Sequence, residues 1–240
     1  MAPLPAGRPL SLADLPDLPD PAGLLFDLDG TLVDTLDMRI QAWLEALGRF
    51  GISIARDALA GYLGSDGPWL ARQAASASGR PIDEAKSREI DRAAGEAFDR
   101  LNRSPRPMPA ATELLTWLKR HGPRFAIATS SMPGQIGASV AALHLPSPPT
   151  ITDGSNVAHA KPEPDLLLVA ALQLGVEPRD CWYVGDSTWD MIAAKAAGMI
   201  GIGVATGAVG REGLLAAGAM VALDDLRPLL AELDRRFPKP

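Results

Sequence analysis

The chain is expected to adopt an α/β fold, a parallel sheet with a helical segment inserted after its first strand. Three observations predict it. Short, near-continuous apolar runs recur along the 240 residues, the pattern of strands buried on both faces. Segments with helical periodicity alternate with most of them, which gives right-handed strand–helix–strand crossovers. The stretch between the first two runs is too long for an ordinary crossover and carries helical periodicity alone.

The elements follow in order. Residues 1–22 are studded with Pro and read as a loose leader. They lack the unbroken apolar stretch of a signal peptide, and no apolar run reaches the roughly 18 residues of a membrane span, so the expected location is cytoplasmic. LLFDLDG (Leu24 to Gly30) is the first strand, ending in polar residues and a Gly. In the insertion, Ile40, Trp43, Leu44 and Leu47 form one helical stripe, and Ile90, Ala94, Ala97, Phe98 and Leu101 another. No strand pattern is convincing there, and the Pro-rich RSPRPMP linker leads out of it. Its position above the first strand end suits a mobile lid.

Further runs follow: RFAIATSS from Arg124, TITDG from Thr150, CWYVGDS from Cys181, MIGIGVATG from Met199 and AMVAL from Ala219. Between them, Leu114, Trp117 and Leu118 lie at helical spacing. Lys119, Arg120 and His121 then complement the negative helix end, and Gly122 is expected to supply a left-handed stop. Leu166 to Leu174 with Gly175, and Ser187 to Ala197 with Gly198, repeat that form.

Composition narrows the function. Twenty-three basic against 29 acidic residues leave a net charge of −6, which argues against nucleic-acid or anionic-membrane binding. A single cysteine, Cys181, excludes an internal disulfide and a thiolate zinc cluster; it reads as a small buried hydrophobe. His121, His144 and His159 are dispersed without ligand spacing. Trp43, Trp117 and Trp182 read as packing, whereas Trp69 and Trp189 lie near candidate site loops.

In parallel sheets ligands sit beyond the carboxyl ends of the strands, and four polar strand ends converge on one chemistry. Asp27 and Asp29, two apart on a strand, are expected to face one side, where their repulsion calls for a cation or a shared proton. Asp-Gly is also a common turn pair, and a calcium loop is disfavoured because Phe26, Leu28, Leu32 and Val33 interleave as buried strand. Asp186 ends another strand with Asp190 four residues on; Asp186 and Ser187 could equally cap the helix that follows. Thr129 and Ser130 close a third strand, where hydroxyls and free backbone N–H groups make a phosphate cradle. Lys161, in AKPEPD, is held out of the following helix by Pro162. Together these groups meet the needs of phosphoryl transfer. Mg²⁺ screens a carboxylate nucleophile from an anionic phosphoryl group, lysine and hydroxyl hold the oxygens, and a second carboxyl moves protons.

DLDGTLVDT, AIATSS, AKPEPD and VGDSTWD, in this order, resemble the four motifs of the haloacid dehalogenase superfamily, over Leu24 to about Leu226. The resemblance implies a Rossmann-like core, residues 23–36 and 110–240, with an inserted α-helical cap, residues 37–109, as in phosphoglycolate phosphatase-like and β-phosphoglucomutase-like members. It implies Asp27 as the nucleophile that forms an aspartyl-phosphate, Asp29 as acid/base, Thr129 as phosphate orienter and Lys161 as charge balance. Asp27, the carbonyl of Asp29, and Asp186 would hold Mg²⁺, with Asp190 completing or supporting the site. The presence of Asp29 disfavours a dehalogenase.

The implied activity is a Mg²⁺-dependent phosphatase for a small phosphorylated metabolite, of phosphoglycolate or sugar-phosphate type. A sugar-phosphate mutase is the alternative, and a non-catalytic binder of a phosphorylated effector a third. Arg39 stands where the mutases commonly carry a His. It either binds a second anionic group of the substrate or is a surface arginine. GYLGSDGPW, Gly61 to Trp69, would be the specificity loop, with Tyr62 in place of a basic or small polar residue.

Overall fold

In the computed structural model, which describes residues 18–238, the strands in chain order are β1 Gly23–Phe26, β2 Val33–Asp34, β3 Arg106–Pro107, β4 Arg124–Ala128, β5 Thr150–Thr152, β6 Cys181–Gly185, β7 Ile200–Val204 and β8 Val221–Leu223. The helices are α1 Leu36–Arg49, α2 Arg56–Ala60, α3 Gly67–Ala77, α4 Glu84–Leu101, α5 Ala111–His121, α6 Pro133–Ala142, α7 Asp165–Leu174, α8 Thr188–Ala196, α9 Arg211–Ala216 and α10 Arg227–Arg236.

Six strands form one sheet, order β5-β4-β1-β6-β7-β8, and every pair is parallel. Side-chain alternation divides each strand between two cores. Leu24, Phe26, Trp182 and Val184 pack with Leu114 and Leu118 of α5 and Leu229 and Leu233 of α10. Leu25, Cys181 and Tyr183 pack on the opposite face with α7, α8 and α9 through Leu166, Ala170, Met191 and Leu214. Each fully buried Leu or Phe contributes about 1.5–3 kcal/mol. Successive strands run outward from β1 through β4 to β5, and the chain then returns to β1's other side and continues through β6 to β8. The crossovers on either side of β1 therefore diverge, opening a crevice beyond the ends of β1, β4 and β6.

Helices α1 to α4 bury a core of their own, Ile40, Trp43, Leu47, Leu59, Leu70 and Ile90 among its members. Asp66 and Asp83 cap α3 and α4 by accepting from the Trp69 and Lys86 N–H groups. The two chain passages into this segment pair as an antiparallel ribbon, Val33 with Pro107 and Asp34 with Arg106. That ribbon is strand structure the sequence reading did not expect; at two residues per strand it is too short to show a period.

Two further expectations are corrected. The first strand stops at Phe26, and the chain turns over Gly30 to Leu32 rather than running on as buried strand. Leu28 and Leu32 are apolar because the turn folds back into the β1 core, with the Leu32 and Val33 N–H groups both donating to the Leu28 carbonyl and Gly30 at φ +89°. Gly122 is not left-handed; its φ is −96°. A Cβ there would sit 2.7 Å from Leu118 Cδ2 and 2.8 Å from Trp117 Cζ3, so this glycine serves close packing. Gly175 and Gly198 do take positive φ, 65° and 73°.

Trp43, Trp117, Trp182 and Cys181 are buried. Residues 1–17 of the expected leader lie outside the described residues. Asp20 pairs with Arg236, and the Ala22 N–H donates to the Asp180 carbonyl. Among the described residues no helix is long and apolar enough to cross a membrane.

Candidate active site

The crevice is a cavity of about 400 Å³, with Asp27, Asp29, Thr129, Ser130, Lys161 and Asp186 on the sheet side and Leu63 to Gly67 and Asp91 on the side of the inserted helices. Asp27 directly follows β1 and prolongs its ladder, its N–H donating to the Val184 carbonyl at 2.9 Å. Asp186 directly follows β6, the neighbouring strand; Phe26 pairs with Val184, so Asp186 lies one residue beyond the level of Asp27, close enough for their carboxylates to share one site.

Lys161, only 1% exposed, reaches in from the loop before α7. Its Nζ donates to Asp27 Oδ1 at 2.5 Å, to Asp190 Oδ1 at 2.7 Å and to Tyr183 Oη at 3.1 Å. Among the described residues nothing donates to Asp27 Oδ2. Tyr183 in turn donates to Asp190 Oδ1 at 2.8 Å, and Ser187 donates to Asp190 Oδ2 through its N–H at 2.9 Å and its hydroxyl at 2.6 Å. Asp190 thus has donors on both oxygens. Ser187 and Asp190 form the capping box of α8, so the capping reading and the site reading both hold for this helix start. Asp186 takes no part in the cap. Its Oδ1 accepts from the Thr31 hydroxyl at 2.8 Å, and its other oxygen faces Gly30 and Gly207, where any Cβ would run into it.

Asp27, Asp186 and Asp190 each offer an oxygen within 4.8 Å of the others, in a buried setting. Among the described residues one ammonium, Lys161, bonds two of them, Asp27 and Asp190. Burial pushes the Asp27 carboxyl up to about 7 despite the pull of Lys161, with Asp190 adding to the rise. Burial, then Asp190 and Asp27, raise Asp186 well above the ordinary carboxylate range. Burial would depress Lys161, but Asp190 and Asp27 outweigh it and hold the ammonium charged. Three buried carboxylates against one cation leave a negative excess, and the donor set is all oxygen. That combination fits a hard divalent cation.

Asp29 lies apart from this cluster. Thr35 donates to its Oδ1 at 2.9 Å; Ser131 at 2.7 Å and Arg39 at 2.6 Å donate to its Oδ2. Arg39 comes from α1, donates also to Gln135 Oε1 at 3.0 Å, and stacks 3.4 Å above the Phe98 ring. It is therefore not a solvated surface arginine. The expected cradle at the end of β4 is narrower than free N–H groups throughout. The Thr129 N–H donates to the Thr152 carbonyl and the Ser131 N–H to Thr129 Oγ1, which leaves the Ser130 N–H and the Thr129 hydroxyl hydrogen for a ligand. The Ser130 hydroxyl points to the Gly64 carbonyl at 3.5 Å.

The Gly61–Trp69 loop closes over the sheet side. Its Asp66 N–H donates to the Lys161 carbonyl at 2.9 Å, its Gly61 carbonyl accepts from Trp189 Nε1 at 3.2 Å, and the Trp69 and Trp189 rings pack edge-on with centroids 4.8 Å apart. Tyr62 packs on Trp69, with centroids 5.9 Å apart.

Sequence reasoning missed Thr31, Thr35, Ser131 and Tyr183. The signal lay in polar residues set inside apolar runs, which fold to full or near-full burial and must find partners.

A family model described as haloacid dehalogenase-like hydrolase matches residues 24–204. The chain is 32% identical over 186 residues to the fructose-1-phosphate phosphatase YqaB of Escherichia coli, covering 76% of this chain and 96% of that one. It is 29% identical over 239 residues to phosphoglycolate phosphatase 1 of Pseudomonas aeruginosa, covering 96% of this chain and 84% of that one. A crystal structure of a hydrolase from Pseudomonas syringae superposes with a TM-score of 0.83 at 30% identity, covering 89% of this chain and 98% of that one.

Proposed function

The chain belongs to the haloacid dehalogenase-like hydrolase family, and from that premise we propose that it is a Mg²⁺-dependent phosphatase acting on a small phosphorylated metabolite through an aspartyl-phosphate on Asp27. The observation that carries the reading is Lys161 bridging Asp27 and Asp190, with Asp186 alongside, at the floor of one cavity.

In this reading Lys161 fixes Asp27 by Oδ1, and the unencumbered Oδ2 attacks phosphorus while the bond to the ester oxygen breaks. Asp29 gives a proton to the departing oxygen. It then takes one from the water that attacks the same phosphorus and breaks its bond to Asp27, releasing inorganic phosphate. The Thr129 hydroxyl and the Ser130 N–H bind the phosphoryl oxygens, and the positive charge of Lys161 offsets the charge that spreads over them in the transition state. Asp27, the Asp29 carbonyl and Asp186 would hold Mg²⁺, which screens the two negative reactants from each other. Asp190, with donors on both its oxygens, positions Lys161 and supports the acidic site.

We read residues 37–109 as a cap over a core of residues 23–36 and 110–240. The separate hydrophobic core of α1 to α4 and the two-strand ribbon at its base support that division. Arg39 is read as a positioning residue for Asp29 rather than a ligand for substrate. The test is phosphate release from a panel of phosphomonoesters and p-nitrophenyl phosphate, with Mg²⁺ and with chelator. Release that needs Mg²⁺ and vanishes in Asp27→Asn is expected. Undiminished release in that variant would refute the nucleophile.

A further inference from the structure

We propose that the enzyme selects phosphomonoesters whose far end is neutral and rich in hydroxyl groups, an open-chain polyol or ketose phosphate, and that Asp91 reads those hydroxyls. The inference rests on the phosphatase reading and names its substrate class. Asp91 stands on α4, on the wall of the cavity contributed by the inserted helices. Among the described residues no donor hydrogen-bonds to its carboxylate. Its approach is built in: the carboxylate lies against Gly67 at the start of α3, where any Cβ would collide with it.

The cations of the same wall are already engaged. Arg39 is held by Asp29, Ser131 and Gln135, and Arg88 by Glu84. The neighbouring carboxylate, Asp66, accepts from the Trp69 N–H as the cap of α3. A substrate carboxylate at this end would therefore face Asp91 and Asp66, with Arg39 committed to the protein's own groups and Arg88 drawn to Glu84 in an exposed pair. Hydroxyl groups would supply the donors that Asp91 lacks. Burial, then the charge of Asp66, pushes the Asp91 carboxyl up to about 6 against the pull of Arg39. A site that hydrogen-bonds a substrate hydroxyl discriminates strongly against analogues without it, because its own polar group is then left unpaired.

The experiment compares kcat/KM for fructose 1-phosphate and a hexitol phosphate with 2-phosphoglycolate and 2-aminoethyl phosphate, at neutral pH with Mg²⁺, in the full chain and in Asp91→Asn. The hydroxyl-rich esters should exceed both others by about tenfold or more. Asp91→Asn should lower their kcat/KM, mainly through KM, and raise that of 2-phosphoglycolate as the repulsion is removed. A preference for 2-phosphoglycolate or 2-aminoethyl phosphate, or a variant that moves every substrate by one factor, would overturn the inference. The comparison within the unmodified chain decides the preference even where the variant folds poorly. Failure of the unmodified chain to release phosphate even from p-nitrophenyl phosphate would instead overturn the phosphatase reading beneath it.

Discussion

The Arg39 guanidinium donates to Asp29 Oδ2 across 2.6 Å, tying the first helix of the insertion to the second carboxylate of the DLDG turn. The same nitrogen donates to Ser131 at 2.5 Å and the other terminal nitrogen to Gln135, so both terminal nitrogens of the planar fork are engaged. The arginine is thus spent on the protein's own acid/base candidate.

Replacing Arg39 should therefore change turnover more than affinity. In Arg39→Ala, kcat for an alkyl phosphate should fall about ten- to a hundredfold, part of what a well-placed acid/base contributes. Arg39→Lys should not restore it, since one ammonium cannot reproduce the fork. Steady-state kinetics decide the matter: a raised KM with kcat unchanged would mean that Arg39 binds substrate instead.

Lys161 bridges Asp27 and Asp190 beside a third buried carboxylate, Asp186, and its loss should be felt in stability as well as activity. Lys161→Met should lower unfolding free energy by about 3 kcal/mol, the cost of leaving a buried charge without its partner. Adding Asp27→Asn should recover part of that loss. Urea denaturation of the single and double variants measures both, and a simple sum of the two single effects would contradict the coupling.

Asp186 lies in the negative excess that fits a divalent cation. Asp186→Asn should raise the melting temperature of the metal-free protein, because repulsion with Asp190 and Asp27 is relieved. Mg²⁺ should raise the melting temperature of the unaltered chain and fail to do so in the variant. Thermal melts with and without Mg²⁺ check both; an intact Mg²⁺ shift in the variant would exclude Asp186 from the cation site.

Asp91 makes the fold sensitive to mild acid in a defined sense. Its folded-state pKa of about 6 lies above the ordinary 3.8, so the folded chain holds a proton there that the unfolded chain has lost. Between about pH 4 and pH 6 this group's contribution to stability is lost as pH rises, by about 2–3 kcal/mol in all. Asp91→Asn should flatten that segment of the stability profile. Parallel profiles for the two proteins would contradict the assignment.

Much of this architecture was legible in the sequence because strands buried on both faces leave unbroken apolar runs. Five of the six sheet strands fall within such runs, and β1 begins one residue before its run, at Gly23. Asp27, Asp29, Thr129, Ser130, Lys161, Asp186 and Arg39 do line one cavity. What the sequence hid depends on tertiary placement. The turn after Phe26 keeps an apolar pattern because it folds back into the core, so periodicity alone read it as strand. Tyr183 is indistinguishable from its apolar neighbours until β6 turns it toward Lys161. The partner of Arg39 and the unpaired state of Asp91 follow from how α1 and α4 meet the sheet, which no local pattern encodes.

In an aspartyl-phosphate mechanism the Asp27 carboxylate itself becomes bonded to phosphorus. Borohydride quenching during turnover, followed by peptide mass spectrometry, tests it directly, because an acyl phosphate is reduced to the alcohol whereas a free carboxylate is not. Reduction at position 27 is expected, dependent on substrate and absent in Asp27→Asn. Phosphate release proceeding while Asp27 is recovered unmodified, with reduction at another carboxylate, would contradict it.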